Sequence, residues 1–341
     1  MKELIIEENE AGQRFDKYLA KLLREAPKSF LYKMLRKKNI TLNGKKATGN
    51  EKLQKGDDVR LFLSDETFDK FAGSVQVERA YCKLDIIYED SDIVVINKPA
   101  GMLSQPADDG TPSLVEYLIG YLLQKGELTE EQLKTFRPSV CNRLDRNTSG
   151  MVCAGKSLAG LQFLSEIFHD RTLHKYYLCI VKGKIEKRSH IKGWLHKDQK
   201  TNRVTVSTKK MSDSLPVETG YRPLGSNGKV TLLEVELITG RTHQIRAHLS
   251  SIGHPLLGDG KYGDREFNRQ YADKGVKYQL LHAYKLVIPQ TGQCFTAPVP
   301  ELFHRIIREE HLEEAYHENL ERSMGLRKDD HNRSSHCDIN K

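Results

Sequence analysis

No apolar run in this sequence approaches the ~18 residues that a membrane helix needs. The best of them, Ile93 to Ile96, is cut at once by Asn97 and Lys98. The N-terminus, Met-Lys-Glu-Leu-Ile-Ile-Glu-Glu, lacks the basic-then-apolar order of a signal peptide. Six cysteines (Cys82, Cys141, Cys153, Cys179, Cys294 and Cys337) include no C-x-x-C pair, which argues against a zinc ribbon and against a disulfide framework. Internal repeats are absent as well. What is left is a chain of 341 residues with a hydrophobic fraction of 38%, enough to build a core. A soluble, reduced, cytoplasmic protein is expected, working as a monomer, and the length suggests two domains or one large domain with an appendage.

The formal net charge is +8, and it is concentrated. Residues 28–60 hold ten lysines or arginines against three acids, Glu51, Asp57 and Asp58. A patch of this kind is the footprint of a polyanion partner, although solvated basic surfaces are also common. The segment around it reads as a small module over residues 13–63. Phe15, Tyr18, Leu19, Leu22 and Leu23 recur at helical spacing, and Pro27 stops that helix. A second helix starts near Ser29 and buries Phe30, Leu31, Met34 and Leu35, with Arg36, Lys37 and Lys38 at its C-terminal turn. Ile40-Thr41-Leu42 and the run through Val59, Leu61 and Leu63 alternate like strands, and Asn43-Gly44 is a hairpin turn signal. Two helices and a hairpin make a small α+β unit.

Residues 64–80 are polar without a period and predict a linker. Beyond them, 85–88, 93–96, 177–181, 203–207, 217–221, 230–238 and 279–288 read as strands. Residues 113–124, 129–136 and 157–169 have helical spacing. The fold class is therefore α+β: a large mixed, mainly antiparallel domain over residues 84–305 joined to the small α+β module. Residues 322–341 predict a disordered tail.

Three segments carry candidate chemistry. In "CNRLDRNTSGMVCAGK" (141–156), Asp145 sits between Arg143 and Arg146. A carboxylate with guanidinium groups in reach is kept ionised and suits a nucleophile or base, while a surface ion-pair trio is the ordinary alternative. In "ITGRTHQIRAHLSSIGHPLLGDGKYG" (238–263), Ile245, Leu249 and Ile252 mark a helix that Thr239 or Thr242 would cap and Gly253 would end. Arg241 then lies at its N-terminus, where an anion is favoured, whether a phosphate or a protein carboxylate. His243, His248 and His254 invite a metal reading, but positions five apart on a helix diverge by about 140°, so no metal site is expected. In "HKYYLCIVKG" (174–183), alternation puts Tyr177 and Cys179 on one face of a strand and Tyr176 and Leu178 on the other. Facing a cleft, such a tyrosine stacks on a base; facing inward, it packs in the core.

"RFDKYLAKLL" (14–23), the basic second helix, "ITLNGKKA" (40–47) and "LQKGDDVRLFL" (53–63) together resemble an S4 RNA-binding domain. "NKPAGMLSQP" (97–106), "NRLDRNTSGMV", "KYYLCIVKG" and "LITGRTHQIRAHLSSIGHPLLGDGKYG", followed by "LHAYKLVIPQTGQCFTAP" (281–298), resemble in order the motifs of the RluA-type RNA pseudouridine synthases. The resemblance implies isomerisation of uridine in RNA, large-subunit ribosomal RNA in the first place, without a cofactor. It implies that Asp145 is the catalytic carboxylate, that Arg241 pairs with it, and that Tyr177 stacks on the target uracil. It further implies that Arg143 fills the gap left by the flipped nucleotide, and that Lys33, Arg36, Lys37, Lys38, Lys45 and Lys46 hold RNA. Asn142 stands where the family usually has His, and activity is expected to survive that change because the position is not the nucleophile. A transfer RNA substrate, a silent RNA-binding protein and a carboxylate-dependent glycosidase are the competing readings. The last would need a second carboxylic acid as general acid, and none accompanies Asp145 in these motifs.

Overall fold

The computed structural model describes residues 1–73, 79–198 and 200–317. The first unit contains β1 (Lys2–Ile5), α1 (Phe15–Leu22), α2 (Lys28–Arg36), β2 (Ile40–Leu42), β3 (Lys45–Lys46), β4 (Asp58–Leu61) and α3 (Asp65–Ala72). Its four strands run in the order β1-β4-β2-β3. The apolar stripes of α1 and α2 close over one core with Ile6, Ile40, Val59 and Leu61. Residues 64–72, expected in the linker, instead extend this unit. Ser64 caps α3 by accepting from the Thr67 N–H, and Asp65 and Glu66 sit in its first turn, where the helix dipole favours them. Phe68 and Phe71, too few to set a visible period, pack against the core. The rest of the expected linker, 74–78, and the expected tail at 322–341 lie outside the described residues.

The second unit is built on an eleven-stranded sheet. In chain order its elements are β5 (Ile86–Glu89), β6 (Ile93–Lys98), α4 (Leu114–Lys125), β7 (Ser139–Val140), β8 (Ser149–Gly155), α5 (Leu158–His169), β9 (His174–Lys182), β10 (Ser189–Asp198), β11 (Arg203–Ser207), β12 (Leu215–Ser226), β13 (Val230–Leu237), α6 (Gln244–Ser251), α7 (Arg265–Arg269), β14 (Leu281–Ile288), β15 (Gln293–Thr296), α8 (Glu301–Glu309) and α9 (Glu313–Tyr316). The strand order is β11-β10-β12-β13-β9-β14-β8-β6-β5, with β15 on β14 and β7 on β8. The helical spacing over 129–136 yields only a short 3-10 turn at Gln132–Lys134. Among the described residues no helix is long and apolar enough to cross a membrane.

Both faces of the sheet are covered, so its central strands are apolar on both sides. On β9, Tyr177, Cys179 and Val181 enter one core with Leu233, Val235, Ile245 and Leu249, while Leu178 and Ile180 enter another with Tyr284 and Phe303. Each large apolar side chain buried this way contributes roughly 1.5–3 kcal/mol. All strand pairs are antiparallel except β8 with β14, which meet through only two register pairs, His282↔Ser149 and Ala283↔Gly150. Gly150 has φ +113°, and a Cβ there would lie 2.2 Å from the Ala283 carbonyl oxygen. Any larger residue would drive β8 and β14 apart at the point where the two halves of the sheet join. The loop that carries Asp145 leads directly into this junction.

Candidate active site

Asp145 lies in the loop between β7 and β8. Backbone contacts fix the loop at several points. The Ser104 hydroxyl donates to the Leu144 carbonyl (2.9 Å) and accepts from the Leu144 N–H (3.1 Å). The Gly101 N–H donates to the Arg146 carbonyl at 2.8 Å. Lys98, with no exposed surface, donates to the carbonyls of Pro99 (2.9 Å), Met102 (2.8 Å) and Arg146 (3.1 Å). Burial pulls this ammonium down to about 7, against the field of Asp145, and the three carbonyls favour its charged form. Lys98 thus ties the "NKPAG" loop to the residue that follows Asp145.

Asn142, in the place of the family's usual His, braces the same loop. Its Oδ1 accepts from the Cys153 N–H at 2.7 Å and its Nδ2 donates to the Met151 carbonyl at 3.2 Å. One amide supplies both an acceptor and a donor without any change of charge.

The partner of Asp145 is not the one expected. Helix α6 begins at Gln244, after His243, which has left-handed backbone (φ +53°) and no side-chain cap; neither Thr239 nor Thr242 caps it. Arg241 falls in the loop before it, makes no ion pair among the described residues, and has a buried Nε without a hydrogen-bond partner. Arg246, beside the apolar stripe of Ile245 and Leu249, reaches Asp145 instead, with its Nη1 2.7 Å from Oδ2. The same guanidinium is gripped in two-pronged fashion by Asp259, Nε to Oδ2 at 2.7 Å and Nη2 to Oδ1 at 2.9 Å. Nor do the neighbours of Asp145 in sequence hold it. Arg146 turns to the Gly101 carbonyl and to Asp109, and Arg143 is exposed.

Asp259, almost wholly buried, also accepts from the Lys261 and Tyr262 N–H groups at 2.8 and 3.0 Å. Burial alone would raise its carboxyl, but Arg246 and these N–H groups hold it below the usual carboxylate range. Arg246 and Asp259 went unread in the sequence because ion pairs of high sequence separation have no local period. The signal that was available is the Gly258-Asp259-Gly260 turn, an acid placed where the backbone folds back on α6.

Tyr177 faces this site from β9 and is buried. Burial first, and Asp145 second, push its hydroxyl well above the ordinary tyrosine range, so it stays protonated at neutral pH. The three histidines do not converge. His248 bonds Thr219, His254 bonds the Lys182 carbonyl, and His243 bonds Tyr262. A cavity of about 640 Å³ opens beside the same loops, lined by Lys98, Met102, Asn147, Ser149, Gln279 and Phe303. Neither Asp145 nor Tyr177 lines it.

A profile of the RNA pseudouridylate synthase family matches residues 92–251, and one of the S4 domain matches residues 13–59. The ribosomal large subunit pseudouridine synthase C of Vibrio vulnificus is 31% identical over 315 residues, covering 89% of this chain and 94% of the relative. The chain belongs to the RNA pseudouridine synthase family. The Escherichia coli (strain K12) protein of the same name is 33% identical to this synthase over 319 residues, covering 88% of the chain and 93% of the relative. Among solved structures, human RNA pseudouridylate synthase domain containing 4 superposes with a TM-score of 0.54 at 22% identity, over 67% of this chain and 93% of that one. That likeness concerns the fold alone.

Proposed function

We propose that this pseudouridine synthase isomerises uridines of large-subunit ribosomal RNA with Asp145 as its catalytic carboxylate. The observation that carries the reading is the fixed Asp145–Arg246–Asp259 array. Two carboxylates share one buried guanidinium, and of the two only Asp145 has an oxygen, Oδ1, without a hydrogen bond among the described residues. In the reaction the N1–C1′ bond breaks, uracil turns, a C5–C1′ bond forms, and the C5 proton is replaced by one on N1. Asp145 serves as an attacking or proton-accepting oxygen at C1′, C6 or the ribose 2′ position. Tyr177, protonated and buried, stacks on the uracil and is available as an acid. Arg143, exposed and without an ion-pair partner among the described residues, enters the gap left by the flipped nucleotide, where a planar cation offsets part of the few kcal/mol of unstacking. Arg246, not Arg241, is the residue that orients the carboxylate.

The ribosomal substrate is supported by the names of relatives that match nearly the whole chain, and by the S4 unit. There, Lys33, Arg36, Lys37, Lys38, Lys45 and Lys46 are all exposed and form no ion pair among the described residues, so they are available to phosphates. The test is modification mapping of ribosomal and transfer RNA from a strain lacking the gene, complemented with wild type or with Asp145→Asn. Lost large-subunit pseudouridines that wild type restores and Asp145→Asn does not are the expected result. Lost transfer RNA sites would reassign the substrate, and restoration by Asp145→Asn would end the assignment of Asp145.

A further inference from the structure

The hydroxyl of Tyr262 accepts a hydrogen bond from the Val204 N–H on β11 (2.9 Å) and lies 2.9 Å from His243 Nδ1. With one lone pair engaged by Val204, and no other acceptor within reach among the described residues, its proton goes to Nδ1. That leaves the imidazole proton on Nε2, which faces Asp145 Oδ2 at 3.9 Å, beyond hydrogen-bond range. Oδ2 already accepts from Arg246 at 2.7 Å, while Oδ1 has no hydrogen-bond partner among the described residues.

We propose that His243 is a positioning residue: a neutral Nε2–H donor, its tautomer set by Tyr262, that closes on Asp145 Oδ2 and leaves Oδ1 to face the nucleotide. The proposal rests on Asp145 being the catalytic carboxylate. The groups around the ring support the neutral form. Burial lowers the pKa of His243; Arg246 from α6 and Lys261 from the following turn lower it further, against Asp145 and Asp259. Arg203 of β11 and Arg246 both lie over the Tyr262 ring, with their guanidinium carbons 5.3 and 5.2 Å from its centroid. A second cation on Oδ2 would compete with Arg246 and draw charge from the reacting carboxylate, whereas a neutral donor orients it without neutralising it. The left-handed backbone at His243 places the ring at the mouth of α6, and His and Asn tolerate that conformation better than most residues.

Single-turnover and steady-state kinetics on a ribosomal RNA fragment, together with nitrogen-15 spectra of histidine-labelled full-length protein, test the assignment. His243→Ala should lower kcat by about 10- to 100-fold with KM nearly unchanged, the scale for a group that orients a reacting oxygen. His243→Gln, which keeps an N–H donor, should recover most of that loss. Tyr262→Phe removes the proton donated to Nδ1, so protonation of the ring becomes easier and the acidic limb of kcat should move to higher pH. The His243 signal, identified by its loss in His243→Gln, should show the neutral Nε2–H tautomer at pH 7. Wild-type kcat in His243→Ala, failure of His243→Gln to recover activity, or an Nδ1–H or imidazolium signal at pH 7 would overturn the proposal. Asp145→Asn separates the two readings. If it is inactive while His243→Ala is normal, only the role of His243 falls; if it is active, the catalytic assignment falls with it.

Discussion

The two units of this synthase handle positive charge in opposite ways. In the S4 unit, Lys33, Arg36, Lys37, Lys38, Lys45 and Lys46 stand exposed around a helix end and a short hairpin, with no ion pair among the described residues. In the catalytic unit, Lys98 and Arg246 are buried, and every donor that the structure assigns them ends on a carbonyl or a carboxylate. The exposed set costs the fold little and adds attraction to a polyanion, which salt screens. The buried set is expensive to desolvate and is stabilised by its carbonyl and carboxylate partners, Asp145 among them. The six S4 cations are thus free, whereas Lys98 and Arg246 are committed to partners within the fold.

This contrast breaks first at Asp145. Asp145→Asn should reduce turnover by about 10³-fold or more, the scale for losing a residue of a catalytic unit, while affinity for ribosomal RNA stays within twofold. A pure variant with near wild-type turnover would show that the array merely ties the fold together. Arg246→Met is next. It leaves Asp259 buried beside an apolar chain, and removing one partner of such a pair costs about 3–5 kcal/mol. Thermal unfolding followed by the fluorescence of Trp194, the single tryptophan, which sits on β10, should record that loss directly. Lys37→Met on the S4 surface should stay within about 0.5 kcal/mol.

Neutralising all six S4 cations to Gln sharpens the other side. Each phosphate contact contributes roughly 0.7–0.9 to the slope of log affinity against log salt, so the slope should flatten by about 4–5 while turnover of a short saturating RNA is kept. An unchanged slope would make the patch a solvated surface only. A further effect concerns pH. All thirteen histidines lie outside the S4 unit, and burial lowers both His248 and His282 to about 4. The unfolded chain binds protons at these sites from about pH 6.5 downward, and the folded chain only near 4. Their contribution is therefore complete above 6.5 and is lost as pH falls toward 4, up to roughly 2 kcal/mol each by pH 5. His282→Asn should flatten the acid limb of the Trp194 unfolding midpoint; an unchanged limb would show that other groups govern it.

Legibility in the sequence follows the same division. Exposed charge can be counted, so the S4 surface was read residue by residue. Strands buried on both faces announce themselves as apolar runs, and β6, β9, β13 and β14 were placed within a few residues. Strand β10 was not, because its burial is mostly partial and its lysines and histidines hide the alternation. Helix α3 was taken for linker because two phenylalanines carry its packing. At the site, Asp145 and Tyr177 stand out only through the resemblance of their motifs to a known family, since alternation does not choose between Tyr177 and Tyr176. Arg246 does not, since its two partners are 101 and 13 residues away and only the fold brings the three together.

The junction of β8 with β14 also has a consequence for the order in which the protein comes into being. The Ser149 and His282 side chains meet there across 133 residues of sequence, and Asp145 meets Arg246 across 101. Within the S4 unit, the strand pairing of widest span, β1 with β4, closes over about sixty residues. Loop closure of long span is slow, and a chain leaving the ribosome folds its N-terminal unit first. The RNA-gripping unit is therefore complete while the strand that seals the catalytic sheet has yet to be synthesised. The N-terminal unit has all its strands before the chain of β14 exists.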